Sequence, residues 1–145
     1  MKNTFSHVTR AATLAVSMIA AGQLQARLMP NLSVTVPFDF IVSGKSLPAG
    51  TYNILSTNSI SGAPTFLVRN AAGKNQAFSV MSGRSWPSKA GNSSRVIFAC
   101  RAESCYLKEL KFDANEGYFA PLPKMSPAQQ ERQVALDARF TPAGK

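Results

Sequence analysis

Residues that carry most enzymatic chemistry are scarce in this sequence. Its 145 residues include one histidine, two cysteines and seven acidic residues. The histidine is His7, which lies in a segment that we expect to be removed, so the mature chain lacks an imidazole for a catalytic triad or for a zinc or copper site. No serine is followed by a lysine three positions later, which excludes the serine–lysine pattern of acyl transfer. The sequence therefore predicts a protein that is not an enzyme and that holds no metal or cofactor.

A long apolar run is also lacking. The apolar stretch at residues 11–22 carries no charge and is too short to span a bilayer. It follows Lys2 and Arg10, and small residues stand at the two candidate cleavage points, after Gly22 and after Ala26, which is the arrangement of a secretory signal peptide. A buried N-terminal helix is the alternative, but no residue caps such a helix. We predict a signal peptide over residues 1–26 and a periplasmic or secreted protein that does not span the membrane.

Negative charge is scarce relative to positive charge. The chain has 16 lysines and arginines and a net charge of +9, and removal of Lys2 and Arg10 with the signal leaves +7. The cations are scattered singly, without a basic run or an aromatic platform, so we expect no nucleic-acid partner. In an exported protein this charge instead favours anionic surfaces of the cell envelope, such as a polysaccharide.

The two cysteines are placed for a structural disulfide. Cys100 and Cys105 are separated by four residues and flanked by apolar segments that are typical of strands. Two sulfurs without a histidine cannot complete a tetrahedral zinc shell, and cysteines that face each other in a hairpin lie within disulfide range. We predict a hairpin with a four-residue loop and a Cys100–Cys105 disulfide, with unpaired cysteines as the alternative.

Turn residues divide the rest of the chain into short strand-like segments. The clearest alternation of apolar and polar residues runs over residues 32–42, where Pro37 requires either an edge strand or a bend. Residues 70–74 contain Gly73 and are typical of a hairpin turn. Short strands with this spacing are typical of antiparallel β proteins. We predict a mainly β domain over residues 27–124, folded as a small antiparallel β-sandwich or barrel.

The C-terminal segment has a different pattern. Ser126, Pro127 and Gln129 match a helix N-cap, an N1 proline and a capping-box glutamine. The sequence therefore predicts a helix over residues 127–140 within a C-terminal helix and tail at residues 125–145. Its apolar stripe is narrow, so it either docks on the sheet or lies on the surface.

Several of these segments resemble a family of small exported bacterial proteins that is numerous in acidobacteria-like soil genomes. The family opens with a VPFDF…GK.LPAG.Y block, which residues 36–40 (VPFDF) and 47–52 (LPAGTY) match. This chain departs from the family at its hairpin, where Cys100 and Cys105 replace a glycine turn, and at Ala72, where aspartate is commoner. The resemblance implies an exported β protein and no particular ligand, because the family carries no assigned activity.

Two other groups of residues are candidates for a catalytic site or a calcium site. Asp39, Glu103 and Glu109 are candidates for paired carboxylates, but each is explained by a solvated strand face or turn. Residues 113–117 begin like a calcium loop and then depart from its pattern, so a simple turn is favoured.

The loop at residues 82–94 is the best candidate for binding. It holds Trp86, the only tryptophan of the chain, with Arg84 and Lys89 nearby. An exposed tryptophan beside cations suits a saccharide or a protein partner, although Trp86 covering one end of the sheet is the favoured alternative.

The sequence therefore favours an exported, non-catalytic binding or envelope-associated structural module. The first alternative is an inhibitor-like or chaperone-like module that binds a protein through an edge strand over residues 34–42. The second alternative is a small histidine-free hydrolase.

Overall fold

A computed structural model describes residues 31–57, 62–85, 93–112 and 116–140. The predicted signal peptide over residues 1–26 lies outside these ranges. The described residues form twelve β-strands and no helix. The strands are β1 (Asn31–Val36), β2 (Phe40–Val42), β3 (Lys45–Leu47), β4 (Gly50–Thr57), β5 (Thr65–Asn70), β6 (Gln76–Val80), β7 (Gly83–Ser85), β8 (Arg95–Arg101), β9 (Ser104–Phe112), β10 (Glu116–Phe119), β11 (Glu131–Asp137) and β12 (Arg139–Phe140).

The strands form two sheets, as the prediction of a mainly β fold requires. The five-stranded sheet has the order β12-β1-β4-β5-β6. The seven-stranded sheet has the order β11-β8-β9-β10-β7, and the β2–β3 hairpin joins it through β9. All pairs are antiparallel except β2 with β9. The arrangement is that of a β-sandwich, which buries one face of each sheet.

The core lies between the two sheets and is rich in aromatic rings. Alternate residues of each strand point inward, because successive side chains of a strand face opposite sides. Phe40 packs edge-to-face against both Tyr52 and Phe98, with ring centroids 5.0 and 5.3 Å apart. At the other end Phe66 stacks on Phe112 at 5.4 Å. Each buried aromatic side chain contributes about 1.5–3 kcal/mol through its apolar area.

Pro37 divides the predicted 32–42 strand between the two sheets. β1 ends at Val36, and the chain re-enters the other sheet as β2. The bend is held by Asp39, whose Oδ1 accepts the Ala49 N–H at 2.9 Å. β2 has partners on both sides, whereas β12 pairs with β1 only at Leu32 and Ser33. Residues 34–42 are therefore not one continuous edge strand, but residues 34–36 of β1 pair with a strand, β4, on one side only.

The predicted helix over residues 127–140 is wrong, because this segment forms β11 and β12. The Ser126–Gln129 pair does form, with the Gln129 N–H donating to Ser126 O at 3.0 Å, but it closes a single turn. Val134, Leu136 and Ala138 recur at every second position and pack against the core, which is the spacing of a strand. Pairing of all seven residues of β11 with β8 outweighs the weak local preference for a helix.

The segment between β10 and β11, residues 120–130, crosses the outer face of the seven-stranded sheet. β8 and β9 separate β10 from β11 in the sheet order, so the connection leads from one side of the β8–β9 hairpin to the other. Arg101 anchors it by donating from Nη1 to Pro123 O at 2.8 Å. Ile97, Ala99 and Arg101 are buried although they face away from the core, and the bond to Pro123 shows that this crossing segment covers Arg101.

The predicted disulfide is present. Cys100 and Cys105 are directly opposite each other in β8 and β9, with their Cα atoms 3.9 Å apart. The pairing continues one step further, from Arg101 to Ser104, so the loop has two residues, Ala102 and Glu103, instead of the four predicted. Ala102 adopts a positive φ of 49° to make this tight turn.

Candidate binding surface

Of the three residues predicted for binding, only Arg84 lies within the described part of the fold. Trp86 and Lys89 lie outside the described residues. Arg84 is exposed on β7, at an edge of the seven-stranded sheet, and its guanidinium lies 6.0 Å from the ring centroid of Tyr118. Burial of the phenol, followed by its hydrogen bond to Glu116, raises the pKa of Tyr118, whereas Arg84 lowers it. Arg84 thus packs on its own sheet.

The acidic residues that the sequence offered as paired carboxylates lie at three separate places in the fold. Asp39 holds the bend after β1, Glu109 lies 3.8 Å from Lys111, and Glu103 occupies the two-residue turn. No group of three or more histidines, cysteines or acidic residues is placed to hold a metal ion within the described ranges. Glu131 and Asp137 each line an open groove on the surface of the described structure.

The outer face of the five-stranded sheet is the most distinctive surface of the described structure. One row of side chains crosses all five strands there, since residues paired directly across strands share a face. Arg139 pairs with Ser33, which pairs with Asn53 on the other side. The row continues through Arg69 to Gln76 on β6. We call this set the polar row, and it consists of Ser33, Asn53, Arg69, Gln76 and Arg139.

A second row of side chains lies beside the polar row and is apolar. Leu55 of β4 pairs with Leu67 of β5, which pairs with Phe78 of β6. Val80 lies two positions after Phe78 on the same face. Phe78 is 56% exposed and Val80 is 51% exposed, the largest values among the exposed large hydrophobic residues of the described chain. We call Leu55, Leu67, Phe78 and Val80 the apolar row.

The charged residues on the five strands of this sheet have one sign. None of the five strands of the sheet contains an acidic residue, and the sequence has none between Asp39 and Glu103. The ion pairs among the described residues all lie in the seven-stranded sheet, where Glu131 binds Arg101 at 2.9 Å and Lys108 at 2.6 Å. The guanidinium groups of the polar row therefore have no carboxylate partner within the described chain.

The two arginines of the polar row are spaced across the sheet. Arg139 is on β12 and Arg69 is on β5, three strand spacings away, which is about 14 Å. Arg139 also lines a shallow groove with Ser33, Thr35, Leu136 and Asp137. The Asp137 carboxylate in that groove pairs with Arg95 at 3.2 Å, so its charge is already compensated. The face can accept negative charge at two separate positions.

Part of this surface could be predicted from the sequence. The 70–74 turn correctly predicts a hairpin in which Arg69 and Gln76 are opposite each other. The acid-free stretch between Asp39 and Glu103 is the signal that points to this face. Arg139 was missed because it was placed in a helix, and its position beside β1 depends on pairing between distant segments.

Comparisons with known proteins find no matching family model, no similar curated protein and no similar solved structure. No helix long and apolar enough to cross a membrane occurs among the residues that the structure describes.

Proposed function

We propose that this protein is an exported, non-catalytic binding module whose outer five-stranded face binds an anionic polysaccharide of the cell envelope. The observation that carries this proposal is the polar row, which has two exposed arginines and no acidic residue on any strand of its sheet. A surface of one charge sign attracts a polymer of the opposite sign and raises its local concentration.

Each group on this face has a distinct role in the proposed binding. Arg69 and Arg139 bind carboxylate or sulfate groups through paired N–H donors, as guanidinium groups do with planar anions. Asn53, which lies between the two arginines, and Gln76, which lies beyond Arg69, hydrogen-bond sugar hydroxyls. Phe78 offers an exposed ring to the apolar side of a sugar. The open face suits a long polymer better than a small ligand, which usually occupies a concave pocket.

Export is the second part of the proposal. The charged and apolar pattern of residues 1–26 supports secretion. The Cys100–Cys105 disulfide is typical of proteins that fold in an oxidising compartment such as the periplasm or the extracellular medium. An envelope polymer is then a partner that the mature protein meets.

The experiment measures binding of the purified mature protein to an anionic polysaccharide, polygalacturonate, and to a neutral one, dextran, at low and physiological salt. We expect binding to polygalacturonate that weakens as salt rises and none to dextran. The double variant R69Q/R139Q should lose at least about 100-fold in affinity, because each of the two charge-assisted contacts contributes about 1.5–3 kcal/mol.

The matched control removes equal charge from the other sheet. Arg132 is exposed on β11, and Lys111 lies on β9 beside Glu109. The variant R132Q/K111Q should keep most of the affinity. Equal losses in the two double variants would show that only net charge matters, and that result would overturn the proposed face.

Trp86, Arg84 and Lys89 remain a proposed second contact for the same partner. The support is the exposed position of Arg84 at the edge strand β7, next to the segment that carries the other two residues. Trp86→Ala should lower polygalacturonate affinity without changing the unfolding midpoint. A fall in the midpoint with unchanged affinity would instead assign Trp86 to the core.

A further inference from the structure

Five strands end the two sheets or their β2–β3 branch, and four of them carry features that oppose pairing with another chain. β12 has two residues, and β3 and β7 have three each. β11 is longer, but three of its residues, Glu131, Arg132 and Asp137, are charged. Short strands and edge charges are the devices that keep soluble β proteins from associating through their edges.

The fifth edge, β6, has none of these features. Its sequence, QAFSV, contains no charge and no proline, and it pairs with β5 in regular register without a bulge. The turn of the β2–β3 hairpin lines a shallow depression beside Gln76 and Phe78. The hairpin nevertheless leaves Phe78 56% and Val80 51% exposed. Such an edge is a template for a further strand.

Hydrogen bonds at the two ends of the β5–β6 pair fix which backbone groups of β6 are free. At the turn, the Asn70 N–H donates to Asn75 O at 2.9 Å. At the other end, the Met81 N–H donates to Pro64 O at 2.8 Å. In an antiparallel ladder, residue pairs that exchange hydrogen bonds alternate with pairs that do not. The hydrogen bonds at both ends give the same alternation of bonded and non-bonded residue pairs along β5 and β6.

In that alternation, the residues of β6 whose main-chain groups hydrogen-bond to β5 are Ala77 and Ser79. The N–H and C=O groups of Gln76, Phe78 and Val80 point away from β5, to the open edge of the sheet. The same three residues have side chains on the outer face, and all three are exposed. The open edge therefore presents three consecutive hydrogen-bonding positions next to exposed apolar side chains.

We propose that β6 pairs antiparallel with β6 of a second copy of this chain, with Phe78 facing Phe78 of the second copy at the two-fold axis. In this register Gln76 of one copy faces Val80 of the other, and each of the three facing pairs exchanges two main-chain hydrogen bonds. A two-fold interface needs a surface that is complementary to itself. A neutral strand with its free backbone groups centred on Phe78 meets that requirement.

Charge favours a second copy over another occupant. β6 offers no charge to an acidic or basic partner strand, so its complement is a neutral strand, and β6 is itself the longest such edge in the described chain. Lys74 is the closest charged residue along the chain before β6. It would face Ser82 of the second copy, so the two Lys74 side chains do not face each other. The apolar row would continue across the axis from Phe78 to Phe78.

The proposed pairing also extends the binding face, although it does not depend on the proposed function. Two five-stranded sheets would join into one sheet of ten strands. The polar rows of the two copies would then lie on one continuous outer face, and a long polymer could contact both. Binding of polygalacturonate by a monomer and dimerisation are measured separately, so either result can fail while the other holds.

The first test is sedimentation equilibrium of the purified mature protein without any ligand. We expect a reversible dimer with twice the monomer mass. Phe78→Lys places two lysines opposite each other and should raise the dimer dissociation constant at least about tenfold, because the cross-strand contact between the two rings is lost. Met125→Lys is the matched control, since Met125 is a 48% exposed residue of the crossing segment, and it should leave the constant unchanged. A monomer at every concentration would overturn the proposal, as would equal effects of the two substitutions.

Cysteine trapping then tests the register. Residues facing each other in a hydrogen-bonded pair have Cα atoms about 5.5 Å apart, within disulfide range. Phe78→Cys should therefore form a disulfide-linked dimer under mild oxidation. Val80→Cys should not form one with itself, because its two copies would lie about 13 Å apart along the strands, but it should crosslink when mixed with Gln76→Cys. Self-crosslinking of Val80→Cys as fast as that of Phe78→Cys would rule out this pairing.

Discussion

Gly117 on β10 lies directly opposite Ser85 on β7, and a Cβ atom at position 117 would overlap the Ser85 hydroxyl. The same atom would lie 3.2 Å from the Leu110 carbonyl oxygen and from the Ser85 Cβ. Gly117 is therefore required by close approach between strands and not by an unusual backbone angle. β7 carries Arg84, so this contact also positions the start of the predicted binding loop.

Gly117→Ala should destabilise the protein by about 1–3 kcal/mol, because the added methyl group overpacks a closed contact. The measurement is urea unfolding followed by circular dichroism. Gly83→Ala is the matched control on the same pair of strands, where an added Cβ meets no atom within 4 Å. It should change the free energy of unfolding little, and G117A/S85G should recover part of the loss. An equal loss at both glycines would contradict the proposed clash.

Ala102→Gly should stabilise the protein. Ala102 has a φ of 49°, a left-handed conformation that costs an L-residue about 1 kcal/mol and costs glycine almost nothing. Glu103 shares the turn and does not have a positive φ, so Glu103→Gly should lower stability through added chain entropy. Thermal unfolding of the two variants separates these effects. Destabilisation by both would show that the Ala102 side chain makes a needed contact.

Removal of the disulfide should cost about 2 kcal/mol, which is the loop-entropy value for so short a ring. C100A/C105A should therefore remain folded, with a lower unfolding midpoint in urea. Thiol titration of the denatured, unreduced wild-type protein should find no free sulfhydryl. Two reactive sulfhydryls in protein purified from the periplasm would falsify the assignment of an oxidised compartment.

Acid should weaken the contact between β11, β8 and β9. Hydrogen bonds from Lys108 and Arg101 hold the pKa of Glu131 below its model-compound value of 4.5, although burial opposes them. A carboxylate with a lowered pKa stabilises the folded state above the unfolded-state pKa, and that stabilisation is lost as the pH falls through the folded-state pKa. The free energy of unfolding should therefore decrease as the pH is lowered below 4.5.

The variant Glu131→Gln isolates this effect. It should be less stable than wild type at pH 7, because Arg101 is 8% exposed and loses its charged partner. Its stability should also depend less on pH in the acid range. Glu103→Gln, in the exposed hairpin turn, should keep the wild-type pH dependence. A steep acid loss in Glu131→Gln would assign the effect to another carboxylate.

Local features of the fold were predictable from the sequence, and distant pairings were not. The turn at residues 70–74 and the Cys100–Cys105 disulfide depend on residues close in sequence, and both predictions were confirmed. The C-terminal helix failed because Ser126 and Gln129 satisfy a local rule that serves a turn as well as a helix. The partner that makes residues 131–137 a strand is β8, about thirty residues earlier, and no local pattern reveals it.

The candidate surface follows the same division. Arg69 and Gln76 are opposite each other in a hairpin and could be assigned to one face from the sequence. Arg139 joins them only because β12 pairs with β1 at the other end of the described chain. The prediction at Trp86 and Lys89 falls on residues that the structure does not describe, and it stays a prediction.

The crossing segment and the two strands that follow it place a constraint on the order of folding. The open edges of β8 and of the first half of β1 receive their partners, β11 and β12, from the C-terminal end of the described chain. A chain that leaves the ribosome N-terminus first thus cannot complete either sheet until synthesis has passed residue 140. Such late, long-range pairing slows folding, which would suit the export that we propose, because a precursor has to stay unfolded while it is translocated.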